Sequence, residues 1–213
     1  MPDRRHVAVL AGLAGYVLCT VTADLVNPDW SPVETMISHY VHARAGWLIP
    51  AALLALAAAS ALLTRLVEPV APRAALVPLR IWTAAVTVGA VFPADPYGRW
   101  DQPPTVPGLL HGLAALTAFT VLPGAAVSLT LARRPITRPA AVLAALTVPA
   151  YLLLLAAFAD VQDGPSVTVG GWESLIGATE RLMLWIYVGW LAVTAAVIRP
   201  PATAAPPVRA GRH

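Results

Sequence analysis

The side chains Ser38, His42, Asp95, His111 and Glu180 are of the types that hydrolyse esters. A serine hydroxyl becomes a nucleophile when an imidazole takes its proton and a carboxylate orients that ring. In that chemistry Ser38 attacks, His42 or His111 accepts the proton, and Asp95 or Glu180 orients the imidazole. Ser38 and His42 are four residues apart, a spacing that lets them touch on one helix face. No glycine-rich nucleophile turn surrounds Ser38. Asp24, His39 and Arg181 are the candidate substrate-binding groups, and Arg181 has the charge to hold a lipid phosphate. His39, His42, His111 and Asp95 also form a candidate ligand set for zinc, which takes three or four N, O or S donors. No His-x-x-x-His or His-Glu-x-x-His motif is present, so no metal and no cofactor is assigned.

These residues must be positioned by membrane-spanning helices. The chain is 58% hydrophobic and 12% charged, whereas soluble domains carry about 25% charged residues. A transmembrane helix needs about 20 mostly apolar residues. Six stretches meet that need: 6–26, 46–66, 76–92, 107–132, 139–159 and 174–198. The first, with its basic start and small residues near Ala23, also has features of a signal peptide. The expected architecture is all-α: a six-helix membrane domain over 1–199, then a disordered cytoplasmic tail over 200–213, rich in Pro, Ala and Arg.

All fourteen basic residues are arginine, which with abundant Ala and Pro points to a high-GC bacterial origin. With six spans, Arg4, Arg5, Arg65, Arg73, Arg80, Arg133, Arg134, Arg138, Arg199, Arg209 and Arg212 fall on one side. Arg44, Arg99 and Arg181 fall on the other. The positive-inside rule then places both termini in the cytoplasm of a multi-pass cell-membrane protein. Acids do the reverse: apart from Asp3 and Glu68, all map to the outer side. Trp30, Trp47, Trp100 and Trp172 gather there as an interfacial belt would.

The first outer loop carries a helix-start pattern. Ser31 caps, Pro32 suits the first turn and Glu34 completes a capping box. That predicts an amphipathic helix over 31–43, with Val33, Met36, Ile37, Tyr40 and Val41 on a face that lies on the membrane or caps the bundle. At 1.5 Å per residue, His111 lies roughly 6 Å into the fourth span, and Glu180 and Arg181 roughly 9–10 Å into the sixth. Charges at such depth seek partners inside the bundle. Arg181 is expected to meet Asp24 or Asp95, and Glu180 to meet His111 or His42. Asp24, Ser38, His39, His42, Asp95, His111, Glu180 and Arg181 should therefore converge at one depth, as a pocket or as an ion-pair network that locks the helices.

Phe92, Pro93 and Asp95, followed by Thr105, Gly108 and His111, make a pattern of their own, as do Ile37-Ser38 and Glu180-Arg181. Together they resemble the bacterial and archaeal membrane family called domain of unknown function 998, over nearly the whole chain. In that family an acidic residue often follows the serine; here it is His39, which departs from the pattern. The resemblance implies a compact six-helix bundle and no established activity. A more distant likeness to the Frag1/DRAM/Sfk1 group points toward lipid remodelling or distribution.

Two function classes follow. One is an enzyme or binding protein for a lipid or lipid-linked substrate at the outer face, with membrane lipids as partners. The other is a non-catalytic transport, accessory or scaffold protein. Arginines gathered mainly in short loops and chain ends argue against nucleic acid. No glycine-rich phosphate loop or Rossmann pattern supports a nucleotide enzyme. No inverted repeat favours a secondary transporter, and no facing pair of mid-membrane histidines favours haem. The single Cys19 excludes an intramolecular disulfide.

Overall fold

The computed structural model of the chain describes residues 4–99, 101–132, 137–162 and 167–198. It is all-helical, with α1 (Arg4–Val26), α2 (Leu48–Val67), α3 (Arg73–Val91), α4 (Val106–Ala132), α5 (Arg138–Gln162) and α6 (Ile176–Val197). Each is long and apolar enough to cross a membrane. Within such runs a helix forms because lipid offers no partner for a free N–H or C=O, and the helix satisfies both internally. The six expected spans are thus observed, with α3 and α5 extended back to Arg73 and Arg138. The positions of Trp100, Arg133, Arg134, Asp163, Arg199 and the expected tail over 200–213 lie outside the described residues.

Consecutive helices pack side by side and α1 meets α6, which closes the ring. Its centre is tied by polar aromatic edges. Trp82 of α3 donates its indole N–H to Ser60 of α2 at 2.9 Å. Its ring lies edge-on to Tyr187 of α6, centroids 5.9 Å apart. The Tyr187 hydroxyl in turn donates to the Phe119 carbonyl of α4 at 2.8 Å. Buried aromatic N–H and O–H groups need such partners, all the more where no water is available. Leu18, Leu25, Leu113, Leu131 and Leu152 face outward. Apolar surface that extensive suits acyl chains and not water.

The connections after α1, α3 and α5 lie together at what we call the distal end, opposite the start of α1 and the α2–α3 turn. In the first of them a seventh helix is present, but it is a 3-10 helix confined to Ile37–His42. The expected α-helical start at Ser31 is replaced by a turn in which the Ser31 carbonyl accepts the N–H groups of Glu34 and Thr35. Glu34 does not reach back to Ser31. Its carboxylate accepts the N–H of Glu173, in the α5–α6 connection, at 2.9 Å. With Ile37, His39 and Tyr40 buried, the short helix caps the bundle.

Candidate functional site

The distal end is built from two clasps. In the first, Arg181 of α6 donates to both carboxylate oxygens of Asp24 in α1, Nη2 to Oδ1 at 2.6 Å and Nε to Oδ2 at 3.3 Å. This is the fork-on-carboxylate geometry that makes Arg the strongest partner for an acid. Nη1 donates to the carbonyls of Pro32 at 2.8 Å and Thr35 at 2.7 Å. The guanidinium also lies 5.4 Å from the centroid of the Tyr40 ring. Burial pushes the Tyr40 hydroxyl up to about 12, so it stays protonated. Next to Arg181, Glu180 accepts the Ile37 N–H. Gly177 permits the whole contact, because a Cβ there would lie 2.5 Å from the Thr35 carbonyl oxygen.

The second clasp uses histidines. His111 of α4 donates Nδ1–H to the carbonyls of Gly89 at 3.0 Å and Phe92 at 2.8 Å. These acceptors lie at the end of α3, where the helix ladder leaves carbonyls without a partner. Asp95 returns the favour to α4: its carboxylate accepts the N–H and the hydroxyl of Thr105 at 3.0 and 2.6 Å. Thr105 then accepts the Gly108 N–H at 3.1 Å, the bond of a helix N-cap. The Thr105 hydroxyl holds the Asp95 carboxyl below its usual range. Two rings of the 3-10 helix close the clasp. His42 donates to the Ala94 carbonyl at 2.7 Å and His39 to the Asp95 carbonyl at 2.8 Å. Burial keeps the His39 ring below the usual histidine range, so it is neutral.

Beneath the 3-10 helix lies a cavity of about 510 Å³, within the range of small-molecule sites. Its walls come from α2 through α6 with Tyr16 of α1, and Leu56, Trp82, Ala118 and Leu154 are among the apolar lining. On α4 the lining runs from Gly108 to Phe119, and on α5 from Tyr151 to Gln162. That is a depth of about 16 Å at 1.5 Å per residue, close to one leaflet of a ~30 Å hydrocarbon core. Ser38, His39, Asp95, His111 and Glu180 line the distal end. Leu109, Leu113 and Leu116 of α4 and Leu155 and Phe158 of α5 line the cavity and are also exposed, whereas Leu56 and Trp82 in the same lining are buried. α4 and α5 also make the sparsest contact of any two consecutive membrane-spanning helices. The lining therefore reaches the surface laterally, between α4 and α5, and also at Gln102 and Pro104 of the α3–α4 connection.

A family model described as a protein of unknown function, DUF998, matches residues 9–197. The chain belongs to the DUF998 family. No curated protein and no solved structure matches it.

In this DUF998 protein all eight candidate residues lie at the distal end, yet they divide into different jobs. Arg181 and Asp24 pair as one of the two expected combinations. Glu180 takes a backbone N–H and not a histidine. The Asp95 carboxylate serves Thr105 and orients no imidazole. Among the described residues no hydrogen bond joins Ser38 to His42 or His111, and no three His, Cys, Asp or Glu side chains are grouped to hold a metal. Asp24, His42 and Arg181 are not part of the cavity lining. One residue that sequence reasoning passed over is Asn27, 3% exposed. It donates to the carbonyls of Ala23 and Arg44 and accepts the Arg44 N–H, closing the 27–44 loop at its base. An amide ending an apolar run just before Pro28 was the available signal.

Proposed function

We propose that this protein binds a membrane amphiphile inside its helix bundle, apolar chain in the cavity and polar head at the distal end. The observation that carries this reading is the cavity itself: about one leaflet deep, apolar along its walls, polar at one end and open sideways between α4 and α5. A ligand entering from that side never leaves the hydrocarbon phase. A binding or accessory role is favoured over hydrolysis, because among the described residues Ser38 has no hydrogen bond to His42 or His111, and the Asp95 carboxylate is engaged by Thr105. The arginine asymmetry supports a cell-membrane location with both termini cytoplasmic and the distal end outward. A C-terminal alkaline phosphatase fusion checks that orientation; an active fusion would reverse it.

The decisive variant is Gly112→Trp. Gly112 lines the cavity, and a Cβ there meets nothing within 4 Å. The new side chain therefore starts in open space, and an indole built from there should take up room along the α4 wall of the cavity. The purified variant should keep its thermal stability and lose at least about tenfold in affinity for a fluorescent single-chain lipid, the loss of about 1.4 kcal/mol of binding. Unchanged affinity in a folded variant sinks the reading.

A further inference from the structure

We propose, resting on the amphiphile reading above, that the head group selected by the cavity is a hydrogen-bond donor, a hydroxyl or an ammonium, and not a phosphate or carboxylate. Arg181, the cation nearest Glu180 in sequence, is turned away. Its guanidinium is committed to Asp24 and to the carbonyls of Pro32, Thr35 and Gly177, and it contributes nothing to the cavity lining. Glu180 does line it, at 3% exposure. One of its oxygens accepts the Ile37 N–H, and a carboxylate has acceptor capacity beyond a single bond.

His111 adds a second acceptor. Backbone carbonyls can only accept, so the bonds to Gly89 and Phe92 place the ring proton on Nδ1. In the neutral ring Nε2 is then an acceptor. The polar end of the cavity thus offers lone pairs from α4 and α6. An acceptor-only head, a fully ionised anion included, would leave them unsatisfied. Among the described residues the cation bordering the cavity is Arg99, in the α3–α4 connection, where its Nε donates to Gln102. It is the place an anionic head would choose instead.

The test compares four amphiphiles of one chain length against a fluorescent single-chain probe, with the full chain in nanodiscs and affinities corrected for partition. They are hexadecanol, hexadecylamine, methyl palmitate and hexadecyl phosphate. The alcohol and the amine should bind about tenfold tighter than the ester and the phosphate, the selectivity of one well-made buried hydrogen bond. The alcohol and amine arms separate a hydroxyl ligand from an ammonium ligand. Glu180→Gln keeps a carbonyl for the Ile37 N–H and turns an amide donor into the cavity, so it should narrow or invert the ranking. Phosphate binding as tight as the alcohol, and abolished by Arg99→Gln, overturns the inference while leaving amphiphile binding intact. Equal affinity for all four heads also overturns it. Binding of none of the four overturns the amphiphile reading and this inference with it.

Discussion

On the α1–α6 side of the 3-10 helix, Arg181 and Glu180 hold the backbone of residues 32–37 with charged groups. On the α3–α4 side, His39 and His42 hold the carbonyls of Ala94 and Asp95 with ring N–H groups. The same short element is gripped from both flanks by different chemistry. The ionic clasp pairs a guanidinium and a carboxylate whose side chains are only 12% and 28% exposed. Such a pair is held by strong, well-directed bonds, but each partner becomes a burden once the other is removed. The histidine clasp spreads its hold over several ordinary bonds. It also leaves His39 and His111 on the cavity wall, whereas Arg181 and Asp24 stay off it. One flank is a fixed anchor; the other is an anchor that also faces the ligand space.

The largest effect should come from Arg181→Met. It strands Asp24 and strips the Pro32 and Thr35 carbonyls of their partner at once. A broken buried pair costs about 3–5 kcal/mol, and the partial exposure of Asp24 puts the expectation at about 3 kcal/mol. Heating in mild detergent should show the drop, with hydrogen exchange rising over residues 32–37 and little at 92–95. Equal loosening of both flanks would mean that the clasps act as one unit.

The six spans were legible, and the Asp24–Arg181 pair was legible as one of two alternatives, because each follows from a rule that looks only at residue type. Twenty apolar residues must cross, and a buried guanidinium must find an acid. The partners of His39, His42 and His111 were not legible, since backbone carbonyls have no letter in the sequence. Glu34 fitted a capping box, but the competing N–H sits on Glu173, far along the chain. The cavity was invisible for a related reason: it is what six helices leave empty, and no single residue encodes it.

A smaller effect tests the histidine flank. A Cβ on Gly108 would lie 2.1 Å from Oδ2 of Asp95, so Gly108→Ala must push the carboxylate off Thr105. Losing that cap costs about 1 kcal/mol, and displacing the 92–95 segment adds to it. The gain of about 1 kcal/mol from alanine's helix propensity offsets part, so the net loss should be about 1 kcal/mol. Gly112→Ala, one turn along α4 with no atom within 4 Å of the new Cβ, should be neutral or stabilising. The same substitution four residues apart thus changes sign. If both stabilise, Asp95 is not what holds the start of α4.

The smallest effect separates the flanks by pH. Burial lowers the His39 pKa, with His42 and His111 acting in the same direction and Asp95 opposing. The folded state therefore binds fewer protons at this ring than the unfolded one. Stability falls as pH drops below the unfolded value of about 6.5 and levels off at the folded value. Asp95 has the opposite history. Its carboxyl is lowered, so its contribution is complete above about pH 4 and is lost only as pH falls through the folded value. Between pH 7 and 5, then, the His39 ring contributes a loss that Asp95 does not, and exchange at 37–42 and 94–95 should rise while the Arg181 contacts at 32–35 stay protected. His39→Gln, which keeps a donor for the Asp95 carbonyl without a titrating ring, should flatten the profile over that interval. A profile that keeps its slope in the variant would move the acid sensitivity to another group and leave the two flanks alike in this respect.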